Sequence, residues 1–175
     1  KGIIDKITLI SNGDAHSPAK LGREANVFEG SEINYKNIIE AIKLGGRAEP
    51  SSPIKLISTI EFFPEEGKYH FDGHRKCLVS LAPQEAKKYK NICPKCGRPL
   101  TVGVLHRVDD LADRKEGETP VKATPFKNLI PLEEIIAEAY GVGVASKKVR
   151  GEYQNLIKSF GQEFKVLLEA TKEQI

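Results

Sequence analysis

One histidine and all three cysteines form two ligand-like pairs, which limits what the middle of this 175-residue chain can form. His74 and Cys77 are separated by two residues, Cys93 and Cys96 are also separated by two, and fifteen residues lie between the pairs. This is the spacing of a C-x2-C…C-x2-C zinc site in which histidine replaces one cysteine. A two-residue gap lets one tight turn direct both side chains at a cation about 2.0–2.3 Å away. The spacing therefore predicts one zinc ion bound by these four residues.

Two features of this site stay open from the sequence alone. The fourth ligand could be His70 or His106 instead of His74, and the thiols could be unligated or redox-active. An odd number of cysteines argues against the disulfide framework of a secreted protein, so we expect a reducing, cytoplasmic compartment. Four protein ligands leave no position for a reacting water, so the zinc is predicted to be structural and not catalytic.

Composition excludes some classes of function. Charged residues make up 29% of the chain and hydrophobic residues 39%, which is typical of a soluble globular protein. No apolar run approaches the roughly 18 residues that span a bilayer, and no signal peptide precedes the first segment, so no membrane partner is expected. The net charge of only +3 means that nucleic-acid binding would have to depend on local basic patches. The chain starts at Lys1 and contains no methionine, which favours a fragment of a longer protein.

A candidate catalytic motif lies near the N-terminus. Residues 7–11 form a short β-rich run that stops at an Asn-Gly turn signal, and Asp14 and His16 follow directly. On an extended backbone, side chains two residues apart point to the same side, and barrel enzymes place their ligands at this end of a strand. The alternative is that Asp14 caps a turn and His16 forms an ordinary hydrogen bond.

The residues around this pair resemble the last metal-binding motif of the PHP-domain phosphoesterases. The resemblance covers SNGDAHSP at 11–18 and LGREAN at 21–26. It implies the last strand and helix of a (β/α) barrel, with Asp14 and His16 as ligands of divalent metals (zinc, manganese or magnesium). The His-x-His motif of that family is absent here. Residues 1–50 are therefore expected to be the C-terminal piece of a PHP domain, ending in a helix that Asn34 caps and Gly45 stops.

The middle of the chain is predicted to be a zinc-ribbon-like β module over residues 51–115. Alternating apolar residues from Ile54 to Phe62 indicate a half-buried strand, and residues 68–71 are expected to return as its hairpin partner. Pro83 is expected to start a short helix, and residues 100–105 are expected to form a strand that leaves the second ligand turn. A linker over residues 116–130 follows, broken by two prolines.

Residues 131–175 are predicted to be helical. Pro131 opens one helix, a Gly-Val-Gly segment ends it, and Ser146 caps the next, which is the outline of a helix-hairpin-helix. In such a hairpin the glycines let backbone N–H groups approach a DNA phosphate, and nearby cations add to the attraction. The alternative is a plain αα-hairpin. The DNA-contacting residues in this prediction are Gly141, Gly143, Lys147, Lys148 and Arg150.

The order of these motifs resembles the endonuclease Q family. The segments that carry the resemblance are HRKC at 74–77, ICPKCGRPLTVGVLHRV at 92–108 and LADR at 111–114, after the Asp-x-His motif. The resemblance implies a metal-dependent DNA repair endonuclease that nicks DNA on the 5′ side of deaminated bases and abasic sites, with DNA as partner. The fold class expected is α+β, and the 175 residues alone are expected to be inactive.

Two other functions remain open. One is a non-catalytic nucleic-acid-binding module built on a zinc ribbon. The other is a PHP phosphatase acting on a small phosphoester, which would leave the zinc module and the glycine hairpin without a role. The preferred damaged base and the oligomeric state do not follow from the sequence.

Overall fold

The computed structural model describes residues 4–175 and has the mixed α+β composition that the sequence predicts. The helices are α1 (Tyr35–Leu44), α2 (Pro83–Lys88), α3 (Val104–Leu111), α4 (Leu132–Tyr140), α5 (Lys147–Phe160) and α6 (Glu163–Leu168). The strands are β1 (Ala25–Gly30), β2 (Ile54–Glu61), β3 (Asp72–His74), β4 (Val79–Leu81) and β5 (Phe126–Asn128). They form one sheet in the order β1-β2-β5 and one two-stranded sheet, β3-β4. None of the helices within residues 4–175 is long and apolar enough to cross a membrane.

The described residues cluster into two compact units. The first contains the residues up to 10 together with 26–59 and 63–125, and the second contains 11–25, 60–62 and 126–175. The boundaries predicted from the sequence, at residues 50, 115 and 130, stay a prediction.

The first unit holds a small module built on the β3-β4 hairpin. The two strands are antiparallel, with Asp72 opposite Leu81 and His74 opposite Val79. Pro83 begins α2, as predicted, because proline at the first position of a helix gives up only an N–H that the helix leaves unpaired. The buried residues beneath the hairpin are Ala86, Cys93 and Leu100, with Cys77, Val79 and Leu81 packed against them. This core is small, so other interactions must contribute much of the stability of the module.

The strand predicted at residues 100–105 is wrong. An isolated bridge joins Thr101 to Gly73, and helix α3 starts at Val104. Gly103 explains the switch, because a Cβ at this position would lie 2.5 Å from the carbonyl carbon and oxygen of Phe71. Only glycine lets the chain pass so close to its neighbour before turning into the helix. The apolar run is compatible with either structure, and contacts distant in sequence decide between them.

Two other strand predictions differ from the structure. Residues 7–11 belong to none of the five strands described within residues 4–175, and Ile7 and Leu9 are exposed. A β-rich run becomes a strand only where a neighbouring strand completes its hydrogen bonds, so composition alone does not decide the outcome. The hairpin partner expected at residues 68–71 is also wrong, because these residues lie outside the described strands and β2 pairs with β1 and β5 instead. Strands β1 and β5 were not predicted from the sequence.

The predicted helix capping is confirmed in both units. The side chain of Asn34 accepts a hydrogen bond from the Asn37 N–H at the start of α1, and Gly45 ends that helix. In the second unit, the Ser146 hydroxyl accepts a hydrogen bond from the Val149 N–H, and Gly141 ends α4 with a φ of 62°. Helices α4, α5 and α6 pack together around one core, whose buried members are Leu132, Ile136, Ala137, Val149 and Val166.

Candidate functional site

His74, Cys77, Cys93 and Cys96 come together in the first unit. Their ligand atoms all lie within 4.8 Å of one another, and the Nδ1 atom of His74 is 3.3 Å from the Sγ atom of Cys96. A tetrahedral zinc ion places its ligand atoms roughly 3.5–3.8 Å apart, given its usual bond lengths. The four side chains therefore need only small shifts to surround one cation, and the cluster could hold a metal ion such as zinc.

Two short turns bring these side chains together. In the first, the Leu78 N–H donates to the carbonyl oxygen of Arg75 at 3.2 Å. In the second, the Gly97 N–H donates to the carbonyl oxygen of Cys93 at 2.8 Å. The Cys93 N–H also donates to the carbonyl oxygen of Arg98 at 2.7 Å, which joins the two ends of the second turn. The β3-β4 hairpin carries the first turn, and the bridge between Gly73 and Thr101 joins this hairpin to the segment that follows the second turn.

The thiols influence one another's proton affinity. A hydrogen bond with Cys96 is the largest of the causes that raise the pKa of Cys77 to about 11. Burial of Cys93 acts to raise its pKa, but hydrogen bonds from the backbone N–H groups of Lys95 and Cys96 are among the causes that lower it below the ordinary value. Metal binding requires thiolates, so occupation of this cluster would release protons.

The other candidate ligands lie elsewhere. The Nδ1 atom of His106 is 2.5 Å from the Oδ2 atom of Asp72, and both side chains are buried. The Oδ1 atom of Asp72 accepts a hydrogen bond from the Gly103 N–H at 2.6 Å. The ring of His70 packs edge-to-face on Phe71. The Asp72–His106 pair was not predicted from the sequence. The signal that could have suggested a buried partner was the position of His106 directly after an apolar run.

Asp14 and His16 form an exposed pair in the second unit. The Nε2 atom of His16 is 3.7 Å from the Oδ2 atom of Asp14, and the exposed fractions of the two side chains are 89% and 102%. Within residues 4–175, no third histidine, cysteine, aspartate or glutamate joins them in a group that could hold a metal. Both side chains are free to bind a cation, and their metal-binding role stays a prediction.

The helical hairpin between α4 and α5 exposes the cations that the sequence singles out. Lys147, Lys148 and Arg150 are all exposed, and the Nζ atom of Lys148 lies 3.8 Å from the centroid of the Tyr140 ring. A Cβ atom at Gly143 would meet nothing within 4 Å, and its φ is not positive. The fold therefore does not require glycine at this position. Contact of these residues with DNA stays a prediction.

A cavity of about 450 Å³ lies within the second unit, between residues 17–23 and the helices α4, α5 and α6. Several of its polar groups pair with one another, although the Nε atom of Arg23 is buried without a hydrogen-bond partner. Arg23 pairs with Glu134 at 2.6 Å, and Glu163 accepts hydrogen bonds from the Tyr153 hydroxyl and the Leu132 N–H. These groups hold the helices together, and we assign no chemistry to them.

Comparison with known sequences matches nearly the whole chain. Residues 131–175 match the family described as the MJ0043 C-terminal domain. The uncharacterized protein MJ0043 of Methanocaldococcus jannaschii is 38% identical over 176 residues, which cover 97% of this chain and 21% of that protein. The uncharacterized protein YqxK of Bacillus subtilis is 29% identical over 168 residues, which cover 95% of this chain and 38% of that protein. The chain thus spans well under half the length of both relatives.

Solved structures also match nearly the whole chain. The lesion-specific endonuclease PfuEndoQ from Pyrococcus furiosus matches with a TM-score of 0.81 and 34% identity, over 97% of this chain and 41% of that one. An Endonuclease Q in complex with a 27-mer duplex substrate, with an abasic lesion at its active site, matches with a TM-score of 0.74 and 34% identity. That match covers 94% of this chain and 40% of that one. The chain is therefore similar over nearly its whole length to a part of these endonuclease Q structures, which supports an endonuclease Q-like family assignment.

Proposed function

We propose that this chain is the C-terminal part of a metal-dependent DNA repair endonuclease of the endonuclease Q type. The activity proposed is nicking of DNA on the 5′ side of deaminated bases and abasic sites. The observation that carries the proposal is the match of 97% of the chain to a lesion-specific endonuclease, at 34% identity and a TM-score of 0.81. A second neighbour holds duplex DNA with an abasic lesion, which supports DNA as the partner.

Asp14 and His16 would supply two of the ligands of a divalent metal at a PHP-type site. The residues fit this role because a carboxylate oxygen and an imidazole nitrogen lie 3.7 Å apart with both side chains exposed. A metal bound there would act as a Lewis acid toward a DNA phosphate and activate water for attack. Two ligands do not complete such a site, so we expect the isolated 175 residues to bind DNA without nicking it.

The cluster in the first unit would hold one structural zinc ion. Three thiols and one imidazole are the donor set that zinc favours, and the set closes all four tetrahedral positions. Such a site suits a protein kept in a reducing compartment, and we propose a cytoplasmic location. The zinc would rigidify the module and take no part in the reaction.

The experiment that tests the function measures DNA binding and nicking by the purified chain. Duplexes carrying one uracil, one hypoxanthine, one abasic site or no lesion are titrated with and without Mn²⁺. We expect binding that strengthens with Mn²⁺ at the damaged duplexes, and loss of that gain in the double variant Asp14→Ala/His16→Ala. Lesion-specific nicking by the chain alone would contradict the assignment of an incomplete site.

Two other outcomes would favour the alternatives. Salt-dependent DNA affinity that Mn²⁺ and the double variant leave unchanged would favour a non-catalytic nucleic-acid-binding module. Hydrolysis of a small phosphoester such as p-nitrophenyl phosphate, without DNA binding, would favour a PHP phosphatase. Each result replaces the proposed function with a specific competitor.

Replacing Lys147 and Arg150 with alanine is expected to weaken DNA binding by an electrostatic route. Each phosphate contact that is lost reduces the slope of log K against log salt by roughly 0.9, so the double variant should lose close to two units of slope. Lys148 is kept because it packs on Tyr140. Fluorescence anisotropy at several salt concentrations measures the slope.

The matched control for this experiment removes two other exposed cations of the same helical unit, Lys158 and Lys165. It lowers the net charge by the same amount, so a slope that changes equally in both variants would reflect overall charge alone. That result would contradict contact at the hairpin.

A further inference from the structure

Both turns of the metal cluster end in a residue with positive φ, and the two residues differ in kind. Gly97 follows Cys96 with a φ of 71°, and Leu78 follows Cys77 with φ 51° and ψ 43°. Glycine adopts this left-handed conformation without steric cost, whereas a Cβ atom makes it unfavourable. Gly97, at the equivalent position of the second turn, shows that glycine is compatible with this turn geometry. The geometry therefore does not explain why residue 78 is leucine.

Packing does not explain this leucine either. Its side chain is 86% exposed, so it contributes almost nothing to the core beneath the hairpin. Within residues 4–175, the other non-glycine residues with positive φ are polar: Lys90, Asn91 and Lys122. Leu78 is therefore the apolar one among the four non-glycine residues with positive φ in the described part of the chain. A strained and exposed apolar side chain at the tip of a rigid turn is a feature more often connected with function than with folding.

The two chain segments that carry the ligand turns are strongly basic in sequence. Residues 73–81 and 86–108 contain no aspartate or glutamate. They carry eight cations, namely Arg75, Lys76, Lys87, Lys88, Lys90, Lys95, Arg98 and Arg107. Because the whole chain has a net charge of only +3, the rest of it is net negative. We call these two segments the cluster surface.

Several of these cations lie next to the leucine and are not neutralised. Arg75 and Lys76 precede it in the same turn. The Nζ atom of Lys95 donates to the carbonyl oxygen of Cys77 at 3.0 Å, which fixes an ammonium group beside the Leu78 backbone. Among the described residues, ion pairs of this surface involve Lys87, which binds Asp109 and Asp110. An apolar tip therefore lies beside three cations, Arg75, Lys76 and Lys95, that are available to an anionic partner.

We propose that Leu78 is a wedge that inserts against the bases of duplex DNA while the cluster surface binds the flanking phosphates. Duplex DNA offers a partner to both features of this site. Its phosphate backbone is polyanionic, and the faces of its bases become an accessible apolar surface where two neighbouring bases unstack. Apolar wedges such as leucine are used in this way by DNA-bending proteins. A damaged site unstacks easily, which lowers the cost of insertion. The proposal rests on the proposed DNA-binding function and adds the residue that would distort the duplex.

The variant Leu78→Gly separates a role in DNA binding from a role in folding, because we expect it to weaken DNA binding and to increase the stability of the module. Removing a strained, exposed side chain should raise the melting temperature of the module and leave its zinc content unchanged. The duplex probe carries 2-aminopurine beside an abasic site. We expect the parent chain to increase the 2-aminopurine fluorescence on binding, and we expect Leu78→Gly to lose that increase and to bind about 5- to 10-fold more weakly.

Two further variants define the outcomes. Leu78→Met keeps an apolar tip and should retain the fluorescence increase, whereas Val121→Gly removes an equally exposed apolar residue outside the cluster surface and should change neither signal. Equal affinity and equal fluorescence for the parent and Leu78→Gly would overturn the wedge while leaving DNA binding intact. A parent chain that binds no duplex, or binds an acidic peptide instead, would overturn the proposed function as well.

Discussion

Replacing Cys93 with serine is expected to abolish stoichiometric zinc binding and to unfold the module around the cluster. Cys93 is 1% exposed and belongs to the small core with Ala86 and Leu100, so it would serve as a ligand in addition to its role as a packed side chain. A structural zinc ion contributes roughly 10 kcal/mol or more of apparent binding free energy to a small module. A core with so few buried residues cannot replace that contribution. The loss should therefore be an all-or-none event for the module.

The measurement is zinc per chain by elemental analysis, together with thermal unfolding with and without a chelator. The parent should hold about one zinc per chain, and chelation should reproduce the effect of the substitution. Lys95→Ala is the control, because it changes an exposed residue inside the same turn without removing a ligand. Retention of one zinc and an unchanged melting transition in Cys93→Ser would contradict the assignment.

The same assay identifies the fourth ligand. His74→Asn should lower zinc affinity, since its ring nitrogen lies 3.3 Å from the sulfur of Cys96. His70→Asn should leave the affinity unchanged, because that ring packs on Phe71 outside the cluster. The reverse result would assign the site to His70.

Local sequence rules predicted the parts of the structure that depend on a few neighbouring residues. Two-residue gaps are sufficient to form each ligand turn, and Asn34 and Ser146 cap helices through contacts three residues away. The metal cluster and the helix starts were accessible from the sequence for this reason.

Contacts between residues distant in sequence account for the parts that were mispredicted. The apolar run at residues 100–105 fits a strand, but Gly103 and the helix after it are held against Asp72 and the backbone of residues 69–71. The β-rich run at residues 7–11 has the composition of a strand but belongs to none of the strands that the structure describes. No local pattern contains that information, because β structure depends on which neighbour completes the hydrogen bonds.

Replacing Asp72 with alanine is expected to destabilise the module by about 3–5 kcal/mol. The carboxylate is buried at 1% exposure and makes two hydrogen bonds, to the ring of His106 at 2.5 Å and to the Gly103 N–H at 2.6 Å. Alanine leaves both partners buried without an acceptor, and an unsatisfied buried polar group costs more than the bond itself is worth. The same pair fixes the start of α3 against the hairpin. Loss of the pair should therefore loosen helix α3, which follows the second ligand turn.

The design of this experiment separates the pair from the nearby metal ligands. Unfolding is measured by denaturant at one fixed excess of zinc, and the zinc affinity of each variant is measured in parallel, so that any change in affinity caused by the neighbouring His74 can be subtracted. Asp72→Asn retains an acceptor of the same shape and should cost less than alanine. In the double variant Asp72→Ala/His106→Leu, the imidazole left unpaired by the first change is replaced by an apolar side chain, so the combined loss should be smaller than the sum of the two single losses. Additive losses, or a cost below about 1 kcal/mol for alanine, would mean that the buried pair contributes packing alone.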